Sequence, residues 1–162
     1  MNASASLRPL ILGIGNPLRS DDGLGQAVAE RLAQAVDLDC DIRTVQQLTP
    51  ELAQYLAGAG FVIMIDASRE GEPGAVRISS LALSTLQPTG GIGAHHLTPE
   101  DLARFTTALY GRCPPVMIIS VTGVNFELGE HLSPIVAGQV SHISTVLCKI
   151  CAGRLSTAGT LL

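Results

Sequence analysis

Three residues of this chain have the types and spacing to do chemistry together: Asp22, Asp66 and His95. Carboxylate oxygens joined by one ring nitrogen suit a borderline divalent ion such as Ni²⁺ or Zn²⁺, which would in turn offset two clustered negative charges. Each residue also has a plainer reading. Asp22 follows Ser20 and Asp21 at the start of a helical pattern and can serve as a cap, a role for which Asp21 is the better choice. An Asp that ends a strand, as Asp66 does, can be a turn residue. His96 offers the same donor one position beyond His95, while His131 and His142 read as a solvated loop residue and a helix-surface residue.

Rival motifs fit poorly. Gly13-x-Gly15 begins like a dinucleotide fingerprint, but Leu18 stands where the third glycine belongs and no acid ends the second strand near Val45 to Leu48. There is no Gly-x-Ser-x-Gly elbow, no phosphate-loop lysine motif and no helical His-Glu-x-x-His. Cys148 and Cys151 form a lone Cys-x-x-Cys inside a segment that reads as a helix from Pro134 to Leu155, so core packing is the expected role. A structural zinc site would want two such pairs, and Cys40 and Cys113 are isolated in sequence.

The elements that must position the acids follow from local pattern. Leu10 to Ile14 is a short apolar run ended by glycine and proline, a buried strand feeding a turn. Apolar residues then recur at Leu24, Val28, Leu32 and Val36 with helical spacing, opened by Ser20-Asp21-Asp22. Cys40 to Val45 reads as a second strand and Pro50 to Ala57 as a helix. Phe61 to Ile65 is apolar throughout and stops at Asp66, as a central strand covered on both faces would, which puts Asp66 at the strand's tip. Ala75 to Ser79 reads as a strand and Gln87 to Ala94 as loop, with Gly90 to Gly93 its most mobile part. Thr98-Pro99-Glu100-Asp101 starts a helix running towards Leu109, Val116 to Val121 is a strand, and Ser133-Pro134 opens the last helix. Helices alternating with mostly parallel strands predict a three-layer α/β/α sandwich around a largely parallel sheet of about five strands. In such sheets ligands gather beyond the carboxyl ends of the strands, where Asp22 and Asp66 both fall.

Length and composition set outer bounds. A chain of 162 residues fits one domain, here 1–162, with frayed tails at about 1–7 and 155–162. Aromatic residues are 3% of the chain with no Trp, so Leu, Ile, Val and Ala must build the core. A net charge of −4 without basic runs argues against a nucleic-acid surface. Met1 to Leu7 lacks the cationic start and apolar run of a secretion signal, and no 18-residue apolar stretch occurs, so a cytoplasmic monomer with no membrane partner and reduced thiols is expected.

The segment from Leu12 to Gly25, Leu-Gly-Ile-Gly-Asn-Pro-Leu-Arg-Ser-Asp-Asp-Gly-Leu-Gly, closely resembles the opening motif of the nickel-iron hydrogenase maturation endopeptidases. Ile65-Asp66-Ala67 resembles that family's second acidic motif and Ala94-His95-His96-Leu97 its histidine loop. Thr122-Gly123-Val124 with Leu132-Ser133-Pro134 resembles its C-terminal signature. Asn125-Phe126 stands where the family commonly has Gln-Pro, and His96 is an added histidine. The resemblance implies an enzyme that removes a C-terminal extension from a nickel-loaded hydrogenase large-subunit precursor, with Asp22, Asp66 and His95 as both metal-binding and catalytic set and nickel delivered by the substrate. That ion could polarise the scissile carbonyl or activate water, or an Asp of raised pKa could act as general base. Two other readings stand beside it. One is a non-catalytic nickel-binding checkpoint protein for the same subunit. The other is a peptidyl-tRNA hydrolase-like enzyme suggested by the Gly-x-Gly-Asn-Pro turn, which the acidic balance disfavours.

Overall fold

A computed structural model describes residues 7–35, 37–82 and 97–153 of the chain. Among these, strands form at β1 (Leu10–Ile14), β2 (Asp41–Val45), β3 (Val62–Ser68), β4 (Val76–Ser80) and β5 (Val116–Thr122). Helices form at α1 (Leu24–Ala33), α2 (Ala53–Gly58), α3 (Pro99–Tyr110) and α4 (Pro134–Cys151), with short 3-10 turns at Ser20–Gly23 and Pro50–Leu52. The strands make one sheet in the order β2-β1-β3-β5-β4, parallel except for β4, which runs antiparallel to β5 at one edge. This is the expected three-layer sandwich.

Alternation along the strands sorts side chains between the two helical layers. Ile11, Ile63, Ile65, Ile119 and Val121 pack with Leu24, Val28 and Leu32 of α1 and with Val136, Val140, Ile143 and Leu147 of α4. Leu10, Leu12, Ile14, Val62, Met64 and Val116 point the other way, onto Leu52, Ala53 and Leu56 at α2 and Leu102 of α3. Each such side chain, fully buried, contributes about 1.5–3 kcal/mol. With a mean hydropathy of 1.2 over 18 residues, α4 is long and apolar enough to cross a bilayer, but its buried stripe is committed to this core. The edge strand β4 is mostly exposed and carries Arg77, Ser79 and Ser80, polar residues that discourage further pairing.

Connectivity sets where a ligand can bind. From β1 the chain passes through α1 on one face to β2, then returns through α2 on the other face to β3, on the far side of β1. The chain thus turns opposite ways on leaving β1 and on reaching β3, which opens a crevice beyond the carboxyl ends of these two strands.

Four expectations need correction. Strand β3 does not stop before Asp66 but continues to Ser68, because β5 runs alongside as far as Thr122 and keeps its ladder paired; Asp66 lies opposite Ser120 inside the strand. Helix α1 is preceded by the 3-10 turn and capped by no side chain, its cap position being Gly23. It ends at Ala33, short of Val36, which lies outside the described residues. Helix α4 ends at Cys151 rather than Leu155. The expected tails, apart from Leu7, and the Gly90 to Gly93 loop fall outside the described residues. At α3 the expected start is present in full: Thr98 and Asp101 form a reciprocal capping box with Pro99 at the first turn.

Helix α1 approaches the sheet through Gly25, where a Cβ would run into the carbonyl oxygens of both Ile14 and Ile65. Backbone cannot move aside as a flexible side chain can. Gly25→Ala is therefore expected to cost about 3 kcal/mol, measured as a lower urea midpoint at unchanged slope.

Candidate active site

Two adjacent aspartates at the end of β1 have opposite fates. Asp21 is fully buried, 0% exposed. Its Oδ2 accepts hydrogen bonds from the N–H groups of Val124 at 2.7 Å and Asn125 at 3.0 Å and from the Ser133 hydroxyl at 2.9 Å. Its Oδ1 accepts from the Ser133 N–H at 2.7 Å. Burial opposes ionisation of this carboxyl, but the bonds from Asn125, Ser133 and Val124 outweigh it and hold the pKa below its ordinary value. Asp21 is therefore not the cap of its own helix. It sits instead at the N-terminus of α4, where the helix dipole favours a negative charge, and ties the β1 loop to the β5–α4 connection. Ser20 adds to the tie: its N–H donates to the Gly129 carbonyl at 2.8 Å and its hydroxyl to that of Glu127 at 3.0 Å.

Asp22 faces the other way. One carboxylate oxygen, Oδ2, accepts from the Asn16 N–H at 2.9 Å; Oδ1 has no hydrogen-bond partner among the described residues. The loop is shaped for this by Gly15, whose φ of 130° is open only to glycine and whose missing Cβ leaves room for the Asp22 carbonyl. Gln26 of α1 reinforces it, donating from Nε2 to the Gly15 carbonyl at 2.8 Å.

Asp66 continues the side of β3 that Val62 and Met64 present to the α2–α3 layer. Its Oδ1 accepts from the Ala67 N–H at 2.8 Å, and Oδ2 has no partner among the described residues. Burial raises its carboxyl to about 6 against the pull of the Ala67 N–H, and the nearby negative charge of Asp22 adds to the rise. Both acids line one cavity of about 360 Å³, with Ile14, Met64 and Ile118 as its floor and Gln46, Gln47 and Pro99 among its walls. That volume lies in the range of small-ligand or short-peptide clefts.

Asp22 and Asp66 thus come together at the crevice, each with one carboxylate oxygen still able to accept a metal or a proton. His95 and His96 lie outside the described residues, which resume at Leu97 on the cavity wall. Among the described residues no group of three or more His, Cys, Asp or Glu side chains is gathered to hold an ion. His131 and His142 are exposed, as expected. Gln46 and Gln47 were not singled out from the sequence, although their place just after β2 is a carboxyl-end position of the kind where ligands gather. Leu18, Val124 and Leu128 are exposed apolar side chains on loops stitched together by the Arg19–Gly129 bridge, and Arg69 stacks over the Phe126 ring at 4.1 Å.

Fold and site together define a doubly wound α/β protein with two carboxylates lining one cavity where its parallel strands end. No protein-family model matches the chain. The hydrogenase expression/formation protein HupD of Rhodobacter capsulatus is 32% identical over 139 residues, covering 82% of this chain and 66%, just under two thirds, of HupD. Among solved structures, the NiFe hydrogenase maturation protease HycI of Thermococcus kodakarensis KOD1 matches with a TM-score of 0.72 at 25% identity, over 91% of this chain and 94% of that one. HybD of Thermococcus kodakarensis, also a NiFe hydrogenase maturation protease, matches with a TM-score of 0.70 at 27% identity, over 90% and 99% of the two chains. The chain thus resembles NiFe hydrogenase maturation proteases in sequence and shares their fold.

The two acids predict opposite pH signatures. A carboxyl raised to about 6 keeps its proton in the native state after the unfolded chain has lost it near 3.8, so stability falls as pH rises between these values and the penalty is complete above them. Asp66→Asn should therefore be more stable than the parent by about 2–3 kcal/mol at pH 7.5, with the gap closing towards pH ~4 in urea titrations. Asp21, with its pKa lowered, stabilises fully above 3.8 and loses that contribution as pH falls through its native value. Asp21→Asn should cost about 3 kcal/mol at neutral pH and proportionately less in acid, read from the same titrations.

Proposed function

We propose that this chain is an endopeptidase that removes the C-terminal extension of a nickel-loaded NiFe hydrogenase large-subunit precursor. The observation that carries this reading is the pairing of Asp22 with Asp66 on one cavity at the crevice of a fold shared with hydrogenase maturation proteases. Nickel belongs to the substrate in this scheme. Asp22, Asp66 and His95 receive it, each carboxylate through its free oxygen, and the docked ion fixes which peptide bond lies in the cleft. Specificity then follows from the substrate's own metal, since a precursor without nickel brings no positive charge to offset the repulsion between Asp22 and Asp66.

Once docked, the ion polarises the scissile carbonyl or activates water. Before docking, Asp66 is raised to about 6 and can release its proton near neutral pH as the ion arrives, whereas Asp22 is anchored by the Asn16 N–H. The exposed Leu18, Val124 and Leu128, on the loops that hold Asp21 and Asp22, offer the precursor apolar contacts. The protein works in the cytoplasm as a monomer, with the precursor as its partner.

Mass spectrometry of a co-expressed precursor, with and without nickel, tests the reading. Processing is expected only with both this chain and nickel present. Asp22→Asn, Asp66→Asn and His95→Ala should each slow it by roughly 100-fold or more. Full cleavage by either Asp variant, or of nickel-free precursor, would overturn the scheme. A precursor that binds tightly but stays uncut identifies a checkpoint protein instead.

A further inference from the structure

Sequence separates Cys40 from the Cys148–Cys151 pair by more than a hundred positions, yet all three meet in the apolar cluster under α1 and α4. Cys40 was expected to be isolated; the return of α4 along the sheet brings its last turn to the start of β2. The meeting point lies at the amino-terminal ends of the strands, opposite the carboxylate cavity. Cys40 and Cys151 are 7% and 6% exposed, both are free thiols, and they are neighbours in that cluster. Arg8 leans over the same spot, its guanidinium donating to the Cys40 carbonyl at 3.2 Å and to Asp39 at 2.7 Å.

These surroundings make the two sulfurs unequal. The hydrogen bond from Cys151 lowers the Cys40 pKa, burial opposes it, and Arg8 assists against the charges of Asp39 and Asp41. Cys151 is pushed up, first by the proton it gives to Cys40 and then by burial and by the neighbouring sulfurs. Cys40 is thus the more readily ionised of two neighbouring sulfurs and Cys151 the less.

From the contact of these two thiols we infer that Cys40 and Cys151 form an oxidation site at which a small peroxide closes a reversible disulfide between β2 and α4. The Cys40 thiolate attacks a peroxide oxygen, the O–O bond breaks, and Cys40 becomes a sulfenic acid as hydroxide leaves and takes up the Cys40 proton as water. The Cys151 sulfur then attacks the sulfenic sulfur; the S–O bond breaks, the S–S bond forms, and the Cys151 proton leaves with the hydroxyl as a second water. Two thiols are oxidised by two electrons and one peroxide is reduced to two waters. Access comes through the last turn of α4, where helix ends open most readily. The bond would close a loop of ~110 residues and anchor the end of the chain's longest described helix.

Hydrogen peroxide added to the reduced full chain tests this. The expected result is a loss of about 2 Da per chain and a linked peptide pair containing Cys40 and Cys151, reversed by dithiothreitol. The thermal midpoint should rise by roughly 5–15 °C on oxidation. Cys148→Ala should retain the bond and Cys40→Ala should lose it; were Cys40→Ala not to fold, peptide mapping of the parent chain decides alone. Mass gains in steps of about 16 Da without loss of two hydrogens would overturn the inference. So would a linkage through Cys148 or Cys113, or one between two chains.

Discussion

A carboxylate cut off from water can exist only where enough donors replace its hydration, and at Asp21 those donors come from the far end of the chain. Val124, Asn125 and Ser133 lie more than a hundred residues away, and their N–H and O–H groups converge on this one side chain. The loop after β1 therefore has a fixed conformation before any substrate arrives. Its next residue, Asp22, cannot share that burial and is directed into the cavity. Whatever the cleft binds meets a carboxylate held in place by its neighbour.

The resulting site is not built for stability. Asp66 is set into the covered side of a central strand with, among the described residues, only the Ala67 N–H to satisfy it, and the charge of Asp22 stands close by. Two incompletely satisfied acids in one cavity raise the free energy of the native state near neutral pH; an ion or a proton lowers it again. The core that tolerates this cost lies in the two apolar layers, where strand side chains alternate between α1–α4 and α2–α3. Gly25 lets α1 press close to β1 and β3, so the rigid scaffold reaches right up to the reactive loop.

The opposite end of the sheet has different chemistry. There α4 ends beside β2 with a thiol pair in the core, while its start is held by Asp21 at the carboxylate end. One helix thus spans the domain from the acid crevice to the sulfur cluster, and both of its ends are fixed by contacts remote in sequence.

Much of this architecture was legible in the residues themselves, because strand and helix patterns depend on near neighbours. The apolar run before Asp66, the turn at Gly15 after Ile14 and the Thr98–Pro99–Asp101 start of α3 each carry their instruction locally, and so they place Asp22 beyond β1 and Asp66 in the carboxyl-terminal half of β3, although the strand's extension to Ser68 depends on its pairing with β5. Packing decided the rest. No local pattern says that Asp21 will bond to Val124, Asn125 and Ser133, that Gln46 and Gln47 will face the acids, that β4 will run antiparallel, or that Cys40 will touch Cys151. Those contacts join segments whose proximity exists only after the sheet has assembled and the helices have crossed it.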